Sequence, residues 1–172
     1  MSLQATGSVL PLVLKDVSLK LKGLPEHDAW FDEILHDPTI LPIVLWPDHH
    51  QYCHGQKSYY SIEDLLLRHQ RKTIVLIAIE GTWRNARRMV SKLNSVGLVG
   101  LTQEQMFGWR RQPSDGSLRS QGSFASPENA CTAEAVVGAL VALGMDPNMG
   151  ETVLQRVAQK MDLTRRYQGH DW

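Results

Sequence analysis

Apolar positions in this chain alternate between short continuous runs and stripes at helical spacing. Residues 8–14, Ser-Val-Leu-Pro-Leu-Val-Leu, form an apolar run that predicts a buried strand, with Pro11 as its weak point. Trp30, Phe31, Ile34 and Leu35 recur at helical spacing behind the turn signal Gly23-Leu24-Pro25 and predict a helix over 25–36. Ile43-Val44-Leu45-Trp46 is a β-type run closed by Pro47-Asp48. After a polar loop from Asp48 to Tyr59, Ser61 is placed as an N-cap, with Glu63 and Asp64 in the first turn of a helix reaching about His69. Residues 73–79, Thr-Ile-Val-Leu-Ile-Ala-Ile, are apolar nearly throughout, as a strand buried on both faces of a parallel sheet should be.

Glu80-Gly81-Thr82 breaks that strand, and a helix is predicted from near Trp83 to about Leu93. An apolar segment occupies 96–101, and Trp109 to Gln112 reads as a further short strand before Pro113. Residues 114–129 are rich in Ser, Gly, Asp and Pro and form a long loop, a kind of segment that often serves as a lid or binding loop. Helices are predicted over roughly 130–143, stopping at Gly144, and over about 149–166. The alternation of strands and helices gives an α/β fold with a mostly parallel sheet.

Composition narrows the functional classes. The 172 residues are 42% hydrophobic and 21% charged, which suits a folded domain and not a disordered chain. The 18 Lys and Arg balance the 18 Asp and Glu, which excludes a globally basic nucleic-acid binder but leaves room for a local basic face. Two cysteines, Cys53 and Cys131, make neither a disulfide framework nor a CxxC zinc pair. No apolar run is long enough to span a bilayer, and the start lacks a basic leader segment, so a soluble cytoplasmic or nuclear protein is expected.

Ligands of open α/β sheets bind outside the carboxyl ends of the strands. Three such ends carry polar or glycine signals: Trp46-Pro47-Asp48, Glu80-Gly81-Thr82-Trp83 and Arg110-Arg111-Gln112-Pro113. The second is the sharpest. Gly81 allows close backbone approach, Thr82 suits a cap of the following helix, and that helix N-terminus favours an anionic group. Glu80 stands where a base, or the partner of a ligand amine, would be placed. The same residues also describe an ordinary capped turn beside a core tryptophan. Arg84, Arg87 and Arg88 share one helix face, with Lys92 a turn on; they suit either nucleic-acid phosphates or plain solvation. Arg110, Arg111 and Arg119 add positive charge near another strand end. His49, His50, Cys53 and His54 are close in sequence, but adjacent histidines point apart and no second cluster matches them, so no metal site is expected. Cys131 reads as a small buried residue at a helix start.

Taken in order, these segments resemble a known family. Glu80-Gly81-Thr82-Trp83 behind a hydrophobic strand resembles the Asp-x-Thr-Trp signature of the DTW-domain proteins. Trp109-Arg110-Arg111-Gln112-Pro113 is similar to that family's Arg-Lys-x-Pro segment, and Cys131-Thr132-Ala133-Glu134-Ala135 to its Ser-Thr-x-Glu-Ala motif. Leu45-Trp46-Pro47 resembles its Leu-aromatic-Pro strand end, and Thr6-Gly7 its early Thr-Gly. Two substitutions set this chain apart: Glu80 replaces the family's Asp, and Cys131 its Ser. The resemblance implies a single DTW-type domain over 1–172, without the family's cysteine-rich N-terminal segment, in a SPOUT-like knotted, mostly parallel sheet flanked by helices. It implies an enzyme that transfers the 3-amino-3-carboxypropyl group of S-adenosylmethionine to N3 of a tRNA uridine, releasing methylthioadenosine. Glu80 would be the catalytic carboxylate. Leu45, Trp46, Pro47, Glu80, Gly81, Thr82, Trp83, Cys131, Thr132 and Glu134 would hold the cofactor. Arg84, Arg87, Arg88, Arg110 and Arg111 would hold the tRNA. A SPOUT-like RNA methyltransferase and a non-catalytic relative that binds cofactor and RNA are the alternatives.

Overall fold

The computed structural model describes residues 6–45, 66–70, 72–94, 99–100 and 131–167. The chain divides into two compact units, one built from residues 18–102 and the other from residues 1–17 with 103–172.

The first unit is the α/β part. Helix α1 spans Pro25–His36, as its spacing predicts, with proline in its opening turn, where a missing N–H costs nothing. Its N-terminal approach is pinned from outside. Asp28 accepts hydrogen bonds from the Gly23 N–H and from Lys22 Nζ at 2.7 Å, and these hold its carboxyl below the usual range. Lys20 Nζ lies 4.4 Å from the centre of the Trp30 ring. Asp37 then turns the chain by accepting from the backbone N–H and the hydroxyl of Thr39, at 2.7 and 2.6 Å.

Strand β1, Ile40–Leu45, comes next and packs against α1. It lies between β2, Thr73–Ala78, and β3, Val99–Gly100, and both pair with it in parallel. The expected α/β class with a parallel sheet is thus present. The β2 sequence, apolar almost throughout, predicts burial on both faces, yet no residue of Thr73–Ala78 is fully buried. Among the described strands β2 lies at the sheet edge, with one hydrogen-bonded neighbour. The fully covered position is instead on the central strand, where Ile43 is 0% exposed. Ile43→Ala should therefore destabilise the protein by about 2–5 kcal/mol in urea denaturation, through lost transfer energy and a cavity the sheet cannot close. The expected helix ending near His69 is described only over its last residues, 66–68; Ser61, Glu63 and Asp64 lie outside the described residues.

Helix α2, Trp83–Asn94, leads from β2 to β3. The second unit is helical: a 3-10 helix over Thr6–Leu12, then α3, Thr132–Ala142, and α4, Pro147–Tyr167, each packed on the other two. The expected strand over 8–14 is this 3-10 helix. Pro11 has no N–H for a strand ladder, and Val9 and Leu10 bury themselves as a tight helical turn instead. Val136, Val137, Ala139, Val153, Leu154 and Val157 complete this core.

Helix α3 stops where Gly144 predicts. Gly144 sits at φ 109°, its N–H bonds to the Val141 carbonyl, and the Met145 N–H bonds to the Leu140 carbonyl, a Schellman closure. Asp146 then caps α4 through the Asn148 N–H at 2.9 Å, with Pro147 in the first helical position. No helix among the described residues is long and apolar enough to cross a membrane.

Candidate functional site

The parallel register sets the level at which the strands end. Leu45 of β1 lies opposite Ala78 of β2, and Val44 opposite Gly100 of β3. The three parallel strands therefore reach nearly the same level and share one carboxyl edge, where parallel sheets bind ligands. Leu45 is buried at that edge and forms part of its floor. Glu80, Gly81 and Thr82 leave the same edge and are all exposed.

Gly81 takes φ 154°, in the region that favours glycine. Among the described residues a Cβ built there would meet nothing closer than the Asn85 Cβ at 3.9 Å, so among them it is backbone conformation and not crowding that calls for glycine. Thr82 caps α2: its hydroxyl accepts from the Asn85 N–H at 3.4 Å and its carbonyl from the Ala86 N–H at 2.9 Å. Trp83 opens the helix, so the positive end of the α2 dipole lies directly behind the Glu80–Thr82 turn.

The periodicity of α2 separates two faces. Ala86 and Val90 are buried one turn apart. Arg84, Arg87 and Arg88 are exposed on the opposite side. One helix thus presents its N-terminus to the sheet edge and a three-guanidinium face to solvent.

Cys131, Thr132 and Glu134 fall in the helical unit. Cys131 is the N-cap of α3 and joins Glu134 in a capping box: Glu134 Oε2 accepts from the Cys131 N–H at 3.0 Å, and the Cys131 side chain faces the Glu134 N–H. Glu134 is only 6% exposed, and its carboxylate helps to close this turn. Thr132, next to the cap, is partly exposed. A third participant is not among the sequence candidates: the buried Thr6 hydroxyl accepts from the Ala133 N–H at 3.2 Å. Its only sequence signal is its place in the early Thr-Gly pair.

Burial, and then the Glu134 charge, push the Cys131 thiol above its ordinary pKa, against smaller opposing hydrogen bonds from Thr6 and the backbone. A group whose folded pKa is raised contributes stability that is present below its unfolded pKa and lost as pH rises through the folded value. Wild type should therefore lose stability on the alkaline side of about pH 9. Cys131→Ser should lack that component and gain about 0.5–1 kcal/mol at neutral pH from a stronger cap, as read from urea melts under neutral and alkaline conditions.

The sheet-edge group and the α3 group belong to different units. Trp46, Pro47, Arg110 and Arg111 lie outside the described residues, as do the histidine loop and the long 114–129 loop. Comparison with known proteins gives one correspondence. A family model described as the DTW domain matches residues 1–166, through both units. No curated protein and no solved structure matches.

Proposed function

From the premise that the chain belongs to the DTW-domain family, we propose that it modifies tRNA, transferring the 3-amino-3-carboxypropyl group of S-adenosylmethionine to N3 of a uridine. The family match across residues 1–166 is the observation that carries this reading. The finer fold that accompanies it is a SPOUT-like sheet with a knotted cofactor-binding end; the parallel β2–β1–β3 core supports the sheet part.

The residues at the carboxyl edge suit such a cofactor. Its amino-acid arm carries a carboxylate and an ammonium; the edge offers a helix N-terminus for the first, and Glu80 serves either as partner of the second or as the base. Gly81 leaves room for the backbone to approach. In this reading Leu45, Gly81, Thr82 and Trp83 are the cofactor candidates of the sheet-edge unit, and Cys131 and Thr132 at the start of α3 are, separately, those of the helical unit. Bound there, S-adenosylmethionine supplies an electrophilic carbon attached to its sulfonium.

The chain's own contribution is positioning and proton transfer. Uridine N3 bears a proton that must leave before the nitrogen is a useful nucleophile. In its role as base Glu80, an exposed carboxylate on the turn after β2, accepts that proton. Arg84, Arg87 and Arg88, with Arg110 and Arg111, bind tRNA phosphates and hold the base in register, and such alignment supplies a large part of the rate.

The test is to incubate the purified chain with S-adenosylmethionine and unmodified tRNA, then analyse nucleosides and small molecules by mass spectrometry. Aminocarboxypropyluridine with methylthioadenosine is the expected result. A methylated nucleoside with S-adenosylhomocysteine would replace this reading with a methyltransferase. Cofactor binding with neither product would replace it with a non-catalytic binder.

A further inference from the structure

We propose that Thr6 is a positioning residue of the cofactor site: its buried hydroxyl ties the N-terminal 3-10 helix to the first turn of α3 and fixes the Cys131-Thr132 backbone. The assignment rests on the reading that this turn holds S-adenosylmethionine. Thr6 is 7% exposed and accepts from the Ala133 N–H at 3.2 Å across a separation of 127 residues.

The capping box is local: the Cys131 N–H is satisfied by Glu134, and the Glu134 N–H faces the Cys131 sulfur. A local box shapes the turn but does not fix it relative to its surroundings. Thr6 supplies that fixed point, because its own helix is anchored by the buried Val9 and Leu10. Without the hydroxyl, the Ala133 N–H is left buried and unpaired, and the turn must shift to find another acceptor. A hydroxyl this buried, accepting from a backbone N–H, acts on a ligand through the backbone it holds and not by contact.

The experiment compares Thr6→Val, which keeps the shape, with Thr6→Ser, which keeps the hydroxyl, in the full chain. S-adenosylmethionine affinity is measured by calorimetry, and KM and kcat by methylthioadenosine release. Thr6→Val should weaken cofactor binding about tenfold and raise its KM equally, with kcat at saturating cofactor and tRNA affinity within about twofold of wild type. Thr6→Ser should restore the affinity. Should the valine variant fold poorly, the serine variant decides alone: an affinity loss of tenfold overturns the assignment, since the hydroxyl is still present. Unchanged affinity in a folded Thr6→Val overturns it too. A wild-type chain that binds no S-adenosylmethionine overturns the functional reading, and this assignment with it.

Discussion

Glu80→Gln should lower aminocarboxypropyl transfer by about 10²–10⁴-fold, the usual worth of a positioned general base, with little change in thermal melting. Glutamine keeps the size and hydrogen-bonding reach of glutamate but not its basicity. Glu80 is exposed on a turn, so its replacement removes no core contact. Two roles are open to this carboxylate, and the kinetics separate them. As the acceptor of the N3 proton, its loss lowers kcat and leaves cofactor affinity alone. As partner of the cofactor ammonium, its loss raises the cofactor KM and calorimetric Kd. Glu80→Asp restores the residue of the family signature but withdraws the carboxylate by one methylene. In a site adapted to glutamate it should retain activity within roughly tenfold of wild type, because the loss is one of placement and not of charge. A Glu80→Gln variant with wild-type turnover would remove Glu80 from the chemistry.

The second large effect concerns the arginine face of α2. Reversing Arg87 and Arg88 together to glutamate should weaken tRNA binding about 50-fold at roughly 0.1 M salt. The slope of log K against log salt should become shallower by about 1.4–1.8, the share of two phosphate contacts. Both residues are exposed opposite the buried Ala86 and Val90, so the helix should remain seated on its unit. Affinity for S-adenosylmethionine should not change. Filter binding across a salt series, with calorimetry for the cofactor, reads both quantities. Equal losses in the two would mean that α2 itself has shifted, and that the division between its N-terminus and its arginine face is false.

Much of the fold and of the sheet-edge site is legible in the sequence because it rests on local chemistry. Pro25 and the spacing of Trp30, Phe31, Ile34 and Leu35 bound α1 correctly. Gly144 ends α3 through a conformation that glycine adopts readily. The Glu80-Gly81-Thr82 turn stands at a strand end, as its residue types require. Legibility fails where the deciding partner is distant. The apolar run at 8–14 satisfies a strand pattern and a 3-10 helix equally, and burial against α3 and α4, over a hundred residues away, selects the helix. Hydropathy overstates the burial of β2 for a related reason: it reports what a strand tolerates, whereas position in the sheet sets what covers it. The hydrogen bond of Thr6 to the α3 turn is not legible in the sequence, because its acceptor role exists only once Ala133 is beside it.

That same pairing bears on how the chain folds as it is made. Residues 18–102 can assemble their strands from neighbours in sequence, whereas the 3-10 helix must wait for α3. The Thr6–Ala133 pair is separated by 127 residues, which at about 5–20 residues per second takes a ribosome on the order of 6–25 s to synthesise. Throughout that interval Val9 and Leu10 lack the helices of their own unit that cover them. Residues 6–12 are thus made well before the helices that cover them, and the growing polypeptide carries that apolar turn uncovered until α3 and α4 follow.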